Sequence, residues 1–209
     1  MNLNIIITTD DTTREHVPHL INLIKNYKVI KPEVVLVYCG EDTTFLCNVR
    51  IKAKPYIQEF GMTMAGVNYF KNTENKNKKF LKLSAYVWPL DENKIIEIFD
   101  KLDTLKKPYA GNFWHNNLEG SLSADFFCLD LACGNILENV TDITNDSEVT
   151  LNTLLRKRNK SPYIIPERNP VLYNNYFRCD GLRLTACKHL EENLKYLMEI
   201  VKKTEEVIP

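Results

Sequence analysis

The sequence predicts an α/β sandwich on a mostly parallel, mixed sheet, and three observations carry that expectation. Near-continuous apolar, β-branched runs recur at Leu3 to Thr8, Val34 to Tyr38 and Phe80 to Val87, the pattern of strands buried on both faces. Segments of helical periodicity alternate with them, as βαβ units require. Polar clusters also lie at or near the ends of these runs, at Thr8 to Asp11, Gly40 to Asp42 and Ser84 to Tyr86. At 209 residues the chain suits a single domain, long enough to bury a real core.

Taken in order, Leu3 to Thr8 is the first strand. Thr12 and Glu15 read as a capping box, and Val17, Leu20, Ile21 and Ile24 follow at helical spacing. Val34 to Tyr38 is the second strand, closed by Cys39-Gly40-Glu41-Asp42. A helix is expected from Ala53 to Phe70, with Ile57, Phe60, Met64 and Val67 on one face. Asn72 to Lys79 is a polar loop. Phe80 to Val87 is a strand, and Pro89-Leu90-Asp91 turns it into a helix carrying Ile95, Phe99 and Leu102. Tyr109 to Trp114 and Leu122 to Leu129 read as strands, Ala132 to Val140 and Glu148 to Arg158 as helices. Tyr163 to Pro170 is extended. Leu190, Leu194, Leu197 and Val201 mark a closing helix.

Composition narrows the function. Lysine plus arginine equal aspartate plus glutamate, at 27 each, whereas a nucleic-acid-binding module calls for a strongly basic face. Leu3 to Ile7 is too short for a signal segment, and nothing approaches the ~18 apolar residues of a membrane span. The expectation is a soluble, cytoplasmic protein. Its six cysteines show no paired spacing, so reduced, mostly buried thiols are expected, with neither a disulfide frame nor a structural zinc site. GxGxxG, GxxxxGK[ST] and GxSxG are all absent, which removes the usual support for dinucleotide, P-loop and hydrolase readings.

Three segments in order resemble the A-type glycosyltransferase fold, and within it the β-1,3-galactosyltransferase-like group. Residues Glu59 to Gly66 look like the helix before the central strand. Lys79 to Trp88 looks like the strand leading to the Asp-x-Asp motif, and Ser123 to Ala132 like the acceptor-side strand and helix start. Asp146-Ser147-Glu148-Val149 falls where the family carries an acidic segment. The likeness spans roughly residues 55 to 160. It implies a nucleotide-diphospho-sugar transferase-like sandwich, with a nucleotide-sugar donor and a glycan or other hydroxyl acceptor as partners. In the family, aspartates after the strand hold a divalent metal on the diphosphate. Here Ser84-Ala85-Tyr86 stands there, so the resemblance implies either a metal-independent enzyme without cofactor or a fold kept without its activity.

Candidate site residues follow from strand ends, where such sheets bind ligands. For the donor they are Thr8, Asp10 and Asp11 after the first strand, Glu41 after the second, and Ser84 and Tyr86 at the degenerate metal position. Lys82, Arg183 and Lys188 are the candidate diphosphate partners. Each acidic residue has a plainer reading as a helix-start charge, and Tyr86 as packing. Glu148 is the candidate general base of an inverting transfer, where a carboxylate takes the acceptor's proton. Asp125 is its reserve, an aspartate set among Phe126, Phe127 and Leu129. Trp114 and His115 are candidates for the acceptor sugar, and Asp130 reads more simply as an N-cap. Three readings stay open: an inverting sugar transferase, a non-catalytic member of the fold that binds a glycan or partner protein, and an unrelated doubly wound binding domain.

Overall fold

The computed structural model describes residues 1–41, 47, 49–54, 59–73, 77–113, 122–138, 140, 147–165, 171–173, 177–179, 183–185, 191 and 194. Side chains at 113, 147–149, 171–173, 177–179 and 183–185 are outside that description.

The apolar runs become the centre of the main sheet. β1 (Asn2–Thr9) pairs in parallel with β2 (Lys31–Tyr38) on one side and with β4 (Lys79–Ser84) on the other. Beyond β2 lies the parallel strand β3 (Val49–Lys52); beyond β4 come β7 (Leu122–Asp130), β6 (Tyr109–Phe113) and β8 (Tyr163–Ile164). The seven-stranded order is β3-β2-β1-β4-β7-β6-β8, with β7 antiparallel to both neighbours. The fold is thus α/β with a mostly parallel mixed sheet, as expected. β1 is buried from Leu3 to Thr9 and β7 along its whole length, because helices cover both faces.

Alternation along the strands builds two cores. Leu3, Ile5 and Ile7 face one side with Leu81, Leu83, Phe126 and Cys128, under α1 (Val17–Lys25) and α3 (Glu92–Leu105). Ile6, Val35, Val37, Phe80, Phe127 and Leu129 face the other, under α2 (Glu59–Asn72) and α4 (Ser147–Lys157). Each fully buried Leu, Ile or Phe contributes roughly 1.5–3 kcal/mol. α3 starts where expected, with the Asp91 side chain accepting from the Asn93 N–H at 2.9 Å. Its first residue, Glu92, accepts the backbone N–H groups of Lys28, Val29 and Ile30 at 2.9–3.0 Å, tying down the loop before β2.

α2 lies close on β1 because Gly66 leaves no Cβ between them. A Cβ there would sit 2.6 Å from Ile6 Cγ2, inside contact distance. Gly66→Ala is therefore expected to destabilise by about 1–3 kcal/mol despite alanine's better helix propensity. An unchanged denaturation midpoint would show that the helix simply slides away.

Several expectations need correction. The run Phe80 to Val87 is not one strand: β4 ends at Ser84, a turn at Ala85–Tyr86 follows, and β5 (Val87–Pro89) leaves for a second sheet. There it pairs with β11 (Arg183–Thr185), followed by β10 (Phe177–Cys179) and β9 (Val171–Tyr173). No helix forms over 132–138; Gly134 has φ +147°, which a helix cannot hold, although Ile136 and Leu137 are buried. Ala53 is not helical, and α2 as described begins at Glu59. The capping box is not made either. Thr12 donates to Asp10, and a short 3-10 turn (Arg14–His16) precedes α1. Of the closing helix, Glu191 and Leu194 are described as helical, and Leu194 packs on the first core. Leu190, Leu197 and Val201 lie outside the described residues. Cys39, Cys47, Cys128 and Cys133 are free thiols, but of these only Cys128 is fully buried. Among the described residues no helix is long and apolar enough to cross a membrane.

Candidate functional site

Strand order reverses between β1 and β4: β2 and β3 lie to one side of the pair, the later strands to the other. In open α/β sheets such a reversal opens a crevice at the carboxyl ends of the two strands. Thr8 and Ser84 are register partners at those ends. β7 runs the other way, so its amino-terminal residues Ser123 and Asp125 come to the same edge.

Here the second core becomes polar. Lys82, 1 % exposed, occupies an inward position of β4 beside Ile6 and Phe127. Its ammonium donates to the Glu59 carboxylate, to the Ala124 carbonyl and, at 2.9 Å, to Ser84 Oγ. All three of its protons are used. Glu59 Oε1 accepts from Lys82, from Ser84 and, at 2.9 Å, from Thr8 Oγ1. Asp125 is buried and accepts from Ser123 Oγ. Burial pushes the Lys82 pKa below a lysine's ordinary value, while the charges of Glu59 and Asp125 oppose that shift. The aspartate among phenylalanines thus has a physical partner in the Lys82 charge.

Of the donor candidates, Thr8, Lys82 and Ser84 come together in this cluster. Lys82 is sealed beneath α2 instead of lying open at the strand end. Glu59 joins them, and it was not among the sequence candidates. The signal for it was present: a lysine within the buried run Lys79-Phe80-Leu81-Lys82-Leu83 demands a carboxylate partner, and Glu59 opens the preceding helix.

Asp10, Asp11 and Glu41 lie on the loops beyond β1 and β2. Asp10 Oδ1 accepts the N–H groups and hydroxyls of Thr12 and Thr13 at 2.7–3.0 Å. Burial works to raise its pKa, but those hydrogen bonds outweigh it and hold the carboxyl below its usual range. Asp11 Oδ1 accepts the Glu41 N–H at 3.0 Å, across Gly40 at φ +110°. Arg14 lies 3.7 Å from Asp11 and 3.5 Å from Glu41, exposed pairs that stabilise little. The two loops are joined, and the Glu41 carboxylate stays in solvent. Tyr86, half-buried, packs against the first core, away from the cluster that holds Ser84.

Glu148 is the second residue of α4 and Arg183 the first of β11, but the side chains of both lie outside the described residues. So do Trp114, His115 and Lys188 altogether.

The residues at the degenerate metal position do not fit a divalent ion. Hard cations take carboxylate oxygens, whereas Ser84 is bonded to Lys82 and Glu59, and an ammonium already sits among the available oxygens. A second group with metal-type donors lies at the opposite edge. Asp103, Asp130 and Cys133 offer ligand atoms within 4.8 Å of one another. There too the cation is a lysine, with Lys79 Nζ 2.5 Å from Asp103 and 3.9 Å from Asp130. Asp130 Oδ1 also caps the following turn through the Ala132 N–H at 2.9 Å.

Burial, joined by the Asp103 charge, raises the Asp130 pKa against the pull of the Ala132 N–H and Lys79. A raised folded-state value means that its contribution is complete below the unfolded-state pKa and is lost as pH rises through the folded one. Asn at this position stays neutral. The melting-temperature difference between Asp130→Asn and the parent should therefore move in the variant's favour from about pH 4 to about pH 7. A flat or reversed trend would contradict this.

No protein-family model matches the sequence, and no curated protein matches it. Among solved structures, the glycosyltransferase GlyE of Streptococcus pneumoniae TIGR4 is similar with a TM-score of 0.45 and 13 % identity. The match covers 78 % of this chain and 45 % of that one, so this chain spans less than half of GlyE's length. The similarity is too low to set residues in correspondence.

Proposed function

We propose that this chain binds a nucleotide-activated sugar at the carboxyl edge of β1 and β4 and transfers the sugar to a hydroxyl acceptor, with inversion and without a metal ion. The observation that carries the reading is the polar cluster at the strand-order reversal, in which Thr8, Lys82, Ser84 and Asp125 are buried and Glu59 is half-buried. Stability alone does not account for such a cluster, since a buried ion pair is often no more stabilising than well-packed apolar residues of similar volume. The resemblance of residues 59–66, 79–88 and 123–132 to the A-type glycosyltransferases supplies the chemistry.

In this reading Asp10, Asp11 and Glu41 meet the nucleoside, while Arg183 and Lys188 meet the diphosphate. Lys82 acts through Glu59 and Ser84, adding fixed positive charge beneath the site. Trp114 and His115 stack against the acceptor. Glu148, with Asp125 in reserve, takes the acceptor's hydroxyl proton as its oxygen bonds to the anomeric carbon. The bond from that carbon to the diphosphate oxygen breaks, and the electron pair leaves with the diphosphate.

Loss of the metal-binding carboxylates at Ser84 and Tyr86 favours a second reading, a non-catalytic protein of this fold that binds a glycan or a partner protein. A thermal-shift screen of UDP-, GDP- and CMP-sugars, with manganese and with EDTA, separates the two. A ligand at a hundred times its Kd stabilises by about 2.7 kcal/mol. At least one nucleotide sugar should raise the melting temperature, equally in EDTA. A requirement for manganese would overturn metal independence, and silence from every donor would leave the non-catalytic reading.

A further inference from the structure

Glu59 is held in an unusual way for a residue that would serve the fold alone. Its Oε1 takes three donors from two strands, Thr8 on β1 and Lys82 and Ser84 on β4, which fixes the carboxylate in position and rotation. Its Oε2 has no hydrogen-bond partner among the described residues, and the side chain keeps 28 % exposure. The group stands at the carboxyl edge of the strand-order reversal, with Thr8 and Ser84 as its floor. One oxygen is saturated and the other is left over at a wet margin. A carboxylate so arranged is an acceptor waiting for a donor, and its anchoring avoids an ordering cost on binding.

We propose that Glu59 is the carboxylate by which this site takes hold of a hydroxyl group of its ligand, Oε1 anchoring the group and Oε2 accepting the hydrogen bond. This rests on the nucleotide-sugar reading above and adds to it a recognition residue that the resemblance does not supply. Two hydroxyl sources share that chemistry, the ribose and the activated sugar. Lys82 is then a positioning residue: buried and fully bonded, it touches no ligand and sets where Glu59 stands.

Calorimetric titration of the full chain with UDP-glucose, UDP-galactose, GDP-mannose, free UDP and free GDP tests the proposal. The variants are Glu59→Gln and the double variant Glu59→Gln with Lys82→Met, which removes both members of the ion pair. Hydrogen bonds to a charged group carry enough energy that the nucleotide sugar bound best by the parent should lose about tenfold to a hundredfold in affinity in both variants. A matching loss for the free nucleoside diphosphate assigns the contact to the ribose; a loss confined to the nucleotide sugar assigns it to the activated sugar. Parent-like affinity in either folded variant overturns the role of Glu59 and leaves the nucleotide-sugar reading standing. No binding by the parent overturns both. Failure of both variants to fold would assign the pair to the fold and likewise overturn the proposal.

Discussion

Replacing Glu59 by alanine is expected to lower stability by about 3 kcal/mol, with a fall in melting temperature on the order of 10 °C. The effect is large because of what remains. Lys82 is 1 % exposed, and without Glu59 its ammonium keeps the Ala124 carbonyl and Ser84 Oγ as hydrogen-bond acceptors and the Asp125 charge nearby, but loses the carboxylate bonded to it. An uncompensated buried charge is what makes breaking such a pair costly. The estimate lies at the low end for buried pairs because Glu59 is partly wet. The companion double variant, Glu59→Gln with Lys82→Met, removes both charges and keeps an acceptor for Thr8 and Ser84. It should recover most of the loss, and the cycle completed with the single variants Glu59→Gln and Lys82→Met should be strongly non-additive. Additive losses would mean that the two side chains stabilise independently and that the pair has no special standing in the site.

Turnover is expected to fall by about 10²–10⁴-fold in Glu148→Gln, with donor affinity nearly unchanged. Glutamine keeps the size and most of the hydrogen bonding of glutamate but cannot accept the acceptor's proton. The residue is the second of α4, a helix packed over the same face of the sheet that carries Lys82 and Asp125. A base needs to act only on the acceptor, so loss of donor binding in parallel would place Glu148 in the donor site instead. A loss well below that range would move the role to Asp125, which is buried beside the Lys82 charge.

The central strands were legible because burial on both faces leaves a continuous apolar run, as in β1. Their pairing was legible too, since βαβ units run in parallel. β3 was not: its four residues alternate between half-buried and exposed at the sheet edge, with no apolar run to mark them. The three-residue strands of the second sheet depend on partners far away in sequence, such as β5 with β11. Over 132–138 Ile136 and Leu137 are buried, but Gly134 and the turn capped by Asp130 decide the backbone, so the expected helix does not form. Part of the polar cluster at the strand-order reversal was legible in the sequence. Thr8 and Ser84 were read from strand ends and Lys82 as a candidate diphosphate partner, because the carboxylate that engages it lies 23 residues earlier on another element. Asp10 was read from its place after the first strand, and the structure adds a local cap in which Thr12 and Thr13 hold its Oδ1.

In the proposed function, ligand binds at the carboxyl edge of β1 and β4, over the Lys82–Glu59 cluster. A crystal structure of the chain with its best-binding nucleotide sugar tests it most directly. The expected result is a ligand between the loops after β1 and β2 and the end of β4, in contact with Glu59, with no metal ion near Tyr86. A manganese ion coordinated there would contradict the metal-independent site. A nucleotide sugar lodged instead at the opposite edge, in the groove of about 420 Å³ lined by Phe70, Lys71, Lys78 and Phe80, would contradict the claim itself.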